Sequence, residues 1–189
     1  MRLQNCAVLV VHPRMPISAI QRKSLLKINW TWRCFDNIPS ATVYEMLAVR
    51  QQVFVVEQAC LYLDADGLDN QAWHLFGYDS SGRLVAYARL LPPQTRYEEP
   101  SIGRVLVSKA ARGVGLGRKL IARCLEKCET QYSHQSVRIS AQVYLTAFYQ
   151  SFGFESFGEP YDDGGIAHIG MLLNFRKVGT AKMAIPQEL

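Results

Sequence analysis

Apolar positions along this chain recur at helical spacing in some segments and in short runs in others. Val43, Leu47 and Phe54 fall on one side of a segment that Ser40 can cap as a helix N-terminus. A later segment repeats this spacing, and a shorter one stops at Gly153. The pattern therefore predicts three helices, at Ser40 to about Val56, Leu116 to about Glu129, and Leu145 to Phe152.

The short apolar runs predict strands. Two of them flank Asp79-Ser80-Ser81-Gly82, which indicates a hairpin, and the last two flank Asp162-Asp163-Gly164-Gly165. The predicted strands are Ile28 to Arg33, Trp73 to Tyr78, Leu84 to Leu91, Ile102 to Val107, Val137 to Ala141, Phe154 to Phe157 and His168 to Phe175. Strands mixed with helices indicate an α/β or α+β fold with a central sheet flanked by helices.

The charge of the chain is unevenly distributed. The formal net charge is +5, but all 16 acidic residues lie from Asp36 onward and six of the 21 basic residues precede it. A body near neutrality is a poor polyanion binder, so no nucleic-acid partner is expected. We expect residues 1–27 to be a basic, dispensable extension, residues 28–177 to form one domain, and residues 178–189 to be a tail.

The cysteines indicate a reducing compartment. There are five, an odd number, and Cys124 and Cys128 share a face of the second predicted helix, which favours buried core thiols. No apolar stretch is long enough to span a membrane, so we expect a cytoplasmic protein with no membrane partner. Asp64-x-Asp66-Gly67 lacks the ligand order of a calcium loop, and no metal is expected.

A glycine-rich stretch, Arg112-Gly113-Val114-Gly115-Leu116-Gly117, lies between a predicted strand and a predicted helix. The free N–H groups and the dipole at a helix start favour a phosphate there. Gly117 is followed by Arg118 and Lys119 rather than by Lys and Ser or Thr, which excludes a P-loop. The position of Arg118 also breaks the dinucleotide fingerprint, so a nucleotide enzyme is disfavoured.

The spacing Arg112-x-x-Gly115-x-Gly117 resembles the acetyl-CoA pyrophosphate loop of the GCN5-related N-acetyltransferase (GNAT) superfamily. A second motif, Ala147 to Phe154, resembles that superfamily's helix with a tyrosine before a Gly-Phe turn. Further stretches are similar to the ElaA-like branch, so that the resemblance spans roughly Ile28 to Arg176. These are Phe54-Val55-Val56-Glu57-Gln58, Asp64 to Asn70 with His74, Ala86-Tyr87-Ala88-Arg89, Ile102-Gly103-Arg104-Val105, and Tyr161 through Gly170-Met171.

The resemblance implies a single GNAT fold in which two parallel strands splay apart around the pantetheine arm of acetyl-CoA. It places the pantetheine on the backbone of Leu106 and Val107 and the pyrophosphate on the glycine loop. Gln142 stands where many members carry an asparagine that helps to hold the pantetheine. The implied cofactor-binding residues are Leu106, Val107, Arg112, Gly113, Val114, Gly115, Leu116, Gly117, Arg118, Lys119 and Gln142.

For catalysis, the resemblance implies that Tyr149 is the general acid toward the departing thiolate. The amine nucleophile must lose a proton, and Glu57 is the first candidate base, followed by His168 and His74. The acidic residues at 64, 66, 69, 162 and 163 either attract a cationic amine or, more commonly for such loops, are solvated.

The sequence thus indicates an acetyl-CoA-dependent N-acetyltransferase that acts on an amine of a small molecule or peptide. A non-catalytic acyl-CoA-binding module is the alternative, and it would bind acetyl-CoA without releasing thiol. The acceptor cannot be inferred, because fold does not specify substrate. Ile102 to Val107 and the closing strands are candidate surfaces for a homodimer.

Overall fold

Seven strands form one mixed sheet in the computed structural model, which describes residues 27–60, 62–133 and 135–175. The order across the sheet is β1-β2-β3-β4-β5-β7-β6, with all neighbours antiparallel except β4 and β5. The α/β prediction is confirmed. The strands are β1 (Asn29–Cys34), β2 (Trp73–Tyr78), β3 (Leu84–Leu91), β4 (Ser101–Val107), β5 (Val137–Gln142), β6 (Glu155–Asp163) and β7 (Ile166–Leu173).

Within the described ranges, three α-helices accompany the sheet: α1 (Ser40–Arg50), α2 (Leu116–Gln131) and α3 (Thr146–Gln150). α1 continues directly as a π-helix over Gln51–Glu57. The predicted capping role of Ser40 is wrong: Pro39 is the N-cap, and no side chain caps this helix. Proline fixes its own φ near the value that the helix start needs, and its carbonyl accepts the first bond from Val43 N–H.

Each face of the sheet is covered by a different helix. α2 packs on one face through Leu120, Ile121, Cys124 and Cys128, and each of these side chains is fully buried. Burial raises the pKa of both thiols, which confirms the prediction that they are core residues. α1 and the π-helix cover the other face over β2 and β3. They contribute Met46, Val53 and Phe54, which pack with Phe76, Tyr87 and Leu106.

β4 contains a bulge that changes its course. Gly103 pairs with Arg89 and Leu106 pairs with Tyr87, so two residues of β4 face one residue of β3. One of those two, Arg104, has a φ of +50°, which is unusual for a residue with a side chain. Beyond its first residue β4 makes no paired contact with β5.

The predicted hairpin between β2 and β3 is confirmed with the predicted strand bounds. Asp79 holds its turn, because its carboxylate accepts bonds from the Ser81 and Arg83 N–H groups. β6 is longer than predicted and continues past Gly158 and Pro160 to Asp163. Pro160 is tolerated because β6 is an edge strand with an irregularity at this point.

β4 lies inside the sheet between β3 and β5, and all of its residues are buried. The suggestion that Ile102 to Val107 supports a homodimer is therefore wrong, because a dimer across a sheet needs an exposed edge. Of the two closing strands, β6 lies at the edge of the sheet, so a dimer through that edge stays a prediction. No helix among the described residues is long and apolar enough to cross a membrane.

Candidate active site

The site begins where β4 and β5 separate. The two strands pair only at Ser101 and Arg138, where Arg138 N–H also donates to the Pro100 carbonyl at 2.9 Å. Toward their carboxyl ends the two strands separate, and their facing backbone edges form no ladder of hydrogen bonds with each other. Leu106 and Val107, the predicted pantetheine contacts, lie on the β4 side of this cleft. A narrow cleft with unpaired backbone groups suits an extended chain that carries amides.

The glycine loop lies at the open end of the cleft, between β4 and the start of α2. Gly113 has a φ of +80° and Gly115 a φ of +78°. Residues other than glycine rarely adopt this backbone conformation. Gly115 is the N-cap of α2 and has no side chain with which to cap it. The N–H groups of the first turn, beginning at Leu116 and Gly117, are thus directed at whatever occupies the loop.

Arg112 has a different environment from the glycines. Its Nε donates to the Val107 carbonyl at 2.8 Å, and its two terminal nitrogens donate to the Glu57 carboxylate, Nη2 at 3.0 Å. The guanidinium therefore joins the end of the π-helix to the end of β4. The side chain of Arg112 is thus bound to Glu57 and Val107, and its N–H donates to the Lys109 carbonyl at 3.5 Å.

Arg118 and Lys119 lie in the first turn of α2. Arg118 donates to Ser151 Oγ at 2.8 Å, and its guanidinium lies 4.7 Å from the centroid of the Phe152 ring. This contact links α2 to the end of α3 and keeps one positive charge beside the loop. Arg118 is exposed and Lys119 is half-buried, so both can approach an anionic ligand in solvent.

Two buried polar side chains at the cleft lack any hydrogen-bond partner among the described residues. They are the amide of Gln142, at the end of β5, and the hydroxyl of Tyr149, on α3. Phe148 and Phe154 pack edge-on against the Tyr149 ring at centroid distances of 5.1 and 5.8 Å and fix its position. Buried polar groups are normally paired, so these two unpaired groups indicate a ligand that supplies the missing partners.

The hydroxyl of Tyr149 retains its proton at neutral pH. Burial raises its pKa well above the ordinary tyrosine value, and the neighbouring Cys124 and Tyr144 act in the same direction. The group is therefore a hydrogen-bond donor rather than an acceptor of protons.

His168 lies on β7 directly opposite Gln142 of β5. Its Nδ1 is 2.8 Å from the Ile166 carbonyl, which can only accept, so Nδ1 carries the proton and Nε2 carries the lone pair of the neutral ring. Burial lowers the pKa of His168, although the Ile166 bond and the charges of Asp163 and Asp162 oppose this. A neutral imidazole with a basic Nε2 has the properties of a general base.

Tyr161 of β6 completes a row across three strands. It pairs with His168 in register, and the two rings stack at 6.2 Å between centroids. Its hydroxyl hydrogen-bonds to Ser140 Oγ on β5. Across the sheet, His168 thus lies between Tyr161 of β6 and Gln142 of β5.

Glu57, the first candidate base in the sequence, is bound by Arg112. Both oxygens of its carboxylate accept hydrogen bonds from that guanidinium, so the geometry favours His168 as the base. His74 has both ring nitrogens engaged, with Nδ1 accepting from Tyr87 Oη at 2.7 Å and Nε2 donating to the Asp69 carbonyl at 2.9 Å. Burial lowers the pKa of His74 to about 4. Both of its ring nitrogens are thus committed to hydrogen bonds within the fold.

The acidic loop from Leu63 to Asn70 is not solvated, and that expectation was wrong. Three buried arginines bind its carboxylates, and three charges of each sign leave no net charge to attract an amine. The ion pairs join Arg50 to Asp64 at 2.7 Å and to Asp69 at 2.8 Å, Arg89 to Asp66 at 2.6 Å and to Asp69 at 2.7 Å, and Arg104 to Asp64 at 2.6 Å and to Asp66 at 3.3 Å.

Burial of Asp66 would raise its pKa, but the hydrogen bonds and charge of Arg89, together with the charge of Arg104, lower it to about 2. The network stays ionised at neutral pH and fixes the loop on the sheet. Within residues 27–60, 62–133 and 135–175, no group of three or more His, Cys, Asp or Glu side chains is arranged to hold a metal ion.

Sequence reasoning did not identify the arginines as partners of the loop. The available signal was a charged residue inside each of two apolar strands, Arg89 in β3 and Arg104 in β4. Arginine is almost never fully buried unless it is paired, so these positions required acidic partners elsewhere in the chain. The unpaired acids of the nearby loop were the obvious candidates.

Comparison with known proteins agrees with this geometry. The model of the acetyltransferase (GNAT) domain family matches residues 42–175. A UPF0039 protein of Synechocystis is 58% identical over 147 residues, which cover 78% of this chain and 96% of that protein. The protein ElaA of Escherichia coli is 41% identical over 146 residues, covering 76% of this chain and 95% of its own length.

Solved structures give the same result. An acyl-CoA N-acyltransferase from Pseudomonas aeruginosa superposes with a TM-score of 0.74 at 39% identity, covering 78% of this chain and 99% of that one. The structure of Escherichia coli ElaA also gives a TM-score of 0.74 at 39% identity, covering 78% and 100%. The chain therefore belongs to the GCN5-related N-acetyltransferase superfamily, in its ElaA-like branch.

Proposed function

We propose that this acyltransferase moves an acetyl group from acetyl-CoA to a primary amine by direct attack in a ternary complex. The observation that carries the proposal is the pair of buried, unpartnered groups at the cleft, the Gln142 amide and the Tyr149 hydroxyl. The cleft residues fit acetyl-CoA, because an amide and a hydroxyl are the partners that a pantetheine amide and a thioester sulfur require.

Different residues would bind the two parts of acetyl-CoA, one part at each end of the cleft. The glycine loop and the first turn of α2 would hold the pyrophosphate through backbone N–H groups. The edges of β4 and β5, with the Gln142 amide, would hold the pantetheine. Because β4 pairs with β5 only at Ser101, later β4 N–H groups are free of β5, and one of them would donate to the carbonyl oxygen of the thioester as negative charge develops.

The reaction itself needs one proton acceptor and one donor. His168 Nε2 would take the proton of the attacking amine as its nitrogen bonds to the thioester carbonyl carbon. The carbon–sulfur bond then breaks, and the electron pair leaves with sulfur. Since the pKa of Tyr149 is raised above that of a thiol, its hydroxyl would stabilise the departing thiolate mainly as a hydrogen-bond donor.

A panel of amines with acetyl-CoA tests the proposal by measuring release of the free thiol. We expect turnover with at least one class of primary amine and loss of that turnover in His168→Gln. Arg83→Gln, at the distant β2–β3 turn, is the matched control and should behave as the wild type. Binding of acetyl-CoA without thiol release across the panel would instead indicate an acyl-CoA-binding module.

A further inference from the structure

Three buried polar atoms belong to residues 96–101, at the end of the segment that joins β3 to β4 and on the first residue of β4, and none has a hydrogen-bond partner in the described part of the chain. They are Arg96 Nη1, Glu99 Oε2 and Ser101 Oγ. An unsatisfied buried polar group costs about 1–3 kcal/mol, so three within six residues are unusual. Arg96 Nη1 is the cationic donor among them, and an anionic ligand would supply the acceptor that it lacks.

An aromatic stack fixes the positive charges of this region. The Tyr97 ring lies between two guanidinium groups, that of Arg96 at 5.3 Å and that of Arg138 at 4.1 Å. Phe157 lies on the Arg138 guanidinium as well, at 4.8 Å. Arg96 Nε also donates to Tyr97 Oη at 3.0 Å. Both cations are thus held in place before any ligand binds.

The two arginines differ in their carboxylate partners. Arg138 forms an ion pair with Glu99, Nη1 to Oε2 at 3.7 Å, which is too long for a hydrogen bond. Among the described residues, Arg96 forms no ion pair. In contrast, the three arginines of the acidic loop are all paired. Arg96 Nη1 is a fixed, buried donor without an acceptor among the described residues, and such a guanidinium nitrogen is a binding group for a carboxylate.

This positive region opens on the same sheet face as the candidate base. Arg138 and Ser140 alternate along β5 and so share a face, and Ser140 bonds to Tyr161, which stacks on His168. Burial raises the pKa of Tyr161, and the charge of Arg96 acts on it in the opposite direction, so Arg96 lies within electrostatic reach of Tyr161.

The charge at the His168 end of this face has the opposite sign. Asp163 follows Tyr161 by two residues on β6 and so shares this face, and it acts on His168 as a negative charge. The face therefore has a carboxylate near His168 and the Arg96 guanidinium at its other end, where Glu99 is paired with Arg138 rather than with Arg96. A molecule with an ammonium or amine at one end and a carboxylate at the other matches this polarity.

We propose that the acceptor is an amine that also carries a carboxylate, of the amino-acid or short-peptide class. Arg96, with Arg138 beside it, binds the carboxylate while the amine lies at His168. The inference deepens the proposed function and rests on it.

Matched acceptors test this inference. The common amino acids and short dipeptides are compared with their primary amides as substrates of the wild type, Arg96→Gln and Arg123→Gln. Arg123 is the control, because it lies on α2 over the Trp30 ring, away from this face. We expect KM for the free acid to be about tenfold or more below that for the amide in the wild type and in the control. In Arg96→Gln the two values should converge, with kcat for the amide and KM for acetyl-CoA unchanged.

Equal KM values for acid and amide in the wild type would overturn the inference while leaving the acetyltransferase proposal intact. A ratio that survives in Arg96→Gln would do the same. If Arg96→Gln raised only the KM for acetyl-CoA, Arg96 would contact the phosphates of the donor, and the inference would likewise be overturned.

Binding without turnover gives a second, independent measurement. Thermal unfolding with saturating CoA is recorded with each acid and its amide. We expect the acids to raise Tm more than the amides in the wild type but not in Arg96→Gln. If no amine is turned over, the proposed activity fails, yet this difference would still support a carboxylate site. Equal shifts for acid and amide would contradict it.

Discussion

Tyr149 combines two properties that a purely structural residue would not need. Its ring is part of the core, but its hydroxyl is buried without a partner among the described residues. Leaving a hydroxyl unsatisfied in this way destabilises the fold, whereas phenylalanine at the same position would pack equally well. The hydroxyl is therefore best explained by an interaction made with the substrate.

Replacement of Tyr149 by phenylalanine should separate activity from stability. We expect kcat to fall by about 100-fold, because one donor to a developing negative charge contributes about 3 kcal/mol. KM for acetyl-CoA should change little. Tm should stay the same or rise, since an unsatisfied hydroxyl is removed.

Steady-state kinetics and thermal unfolding check both parts. A variant with near wild-type kcat would refute the role of Tyr149, and a large fall in Tm would show that the hydroxyl has a structural partner. Phe148→Leu is a useful comparison, because it perturbs the same aromatic packing without touching the hydroxyl.

The basicity of His168 leads to a prediction about pH. Because burial lowers its pKa below the ordinary value of about 6.5, the ring is neutral above that pH and becomes protonated only under more acidic conditions. We expect the ratio of kcat/KM between wild type and His168→Gln to be about 100 at pH 8 and to fall below pH 6.5. Because both enzymes use the same amine, the ratio removes the pH dependence that comes from ionisation of the amine substrate. A ratio that does not depend on pH between 5 and 8 would exclude His168 as the base.

At the scale of elements, the bridge from Glu57 to Arg112 connects the π-helix to the end of β4 and to the glycine loop. Glu57→Gln and Arg112→Gln should each raise KM for acetyl-CoA by about threefold to tenfold with little effect on kcat. The double variant should be no worse than either single one, because the two side chains act as a pair with a coupling of about 1 kcal/mol.

The same three variants decide the competing role of Glu57. A base is required whether or not Arg112 is present. A fall of kcat of about 100-fold in Glu57→Gln, with Arg112→Gln close to wild type, would therefore identify Glu57 as the base and displace His168.

The glycine loop and the β2–β3 turn provide a matched pair of glycines. Gly115 and Gly82 both have a φ of +78°, and at both positions an added Cβ would meet no atom within 4 Å. Gly115→Ala and Gly82→Ala should each lower the free energy of unfolding by about 1–2 kcal/mol through backbone strain alone. Only Gly115→Ala should also raise KM for acetyl-CoA, by about tenfold, because the strain reorients the first-turn N–H groups.

Urea unfolding and kinetics at pH 7.5 measure both effects. If Gly82→Ala weakened donor binding as much as Gly115→Ala, the loss would reflect general destabilisation rather than the loop.

Local patterns allowed much of this structure to be predicted from the sequence. The bounds of β2 and β3, the buried face of α2 and the position of the glycine loop follow from periodicity and from residues that favour turns, whereas β6 and β7 have other bounds than predicted. The neutral network of three arginines and three aspartates could not be predicted, because it depends on which distant elements meet. The preference for His168 over Glu57 has the same origin: only the fold shows that Arg112 binds Glu57 and that Ile166 sets the tautomer of His168.

For the whole molecule, the ionisable groups in the core predict loss of stability in acid. The pKa of Asp66 is lowered from 3.8 to about 2, so its contribution is present above pH 4 and is lost as the pH falls toward 2. The pKa of His74 is lowered from 6.5 to about 4, so the unfolded chain binds a proton more readily and stability falls as the pH drops from 6.5 to 4. His168 acts in the same direction.

We expect the free energy of unfolding to fall by roughly 3 kcal/mol between pH 6.5 and 4 from His74 alone, with a further loss of about 2 kcal/mol from Asp66 below pH 4. Urea titrations from pH 7.5 to 3 measure this slope. His74→Gln should flatten the part between pH 6.5 and 4, and an unchanged slope in that variant would show that His74 does not cause it.

The single paired position between β4 and β5 has a consequence for regulation. The separated strands and the glycine loop would contact the parts that acetyl-CoA shares with free CoA, and few contacts would reach the acetyl group itself. Free CoA, the product, and acetyl-CoA, the donor, should then compete for the cleft with similar affinities. In a cell, the rate of such an enzyme would follow the ratio of acetylated to free coenzyme rather than the amount of acetyl-CoA alone, which links amine acetylation to the metabolic state of the coenzyme pool.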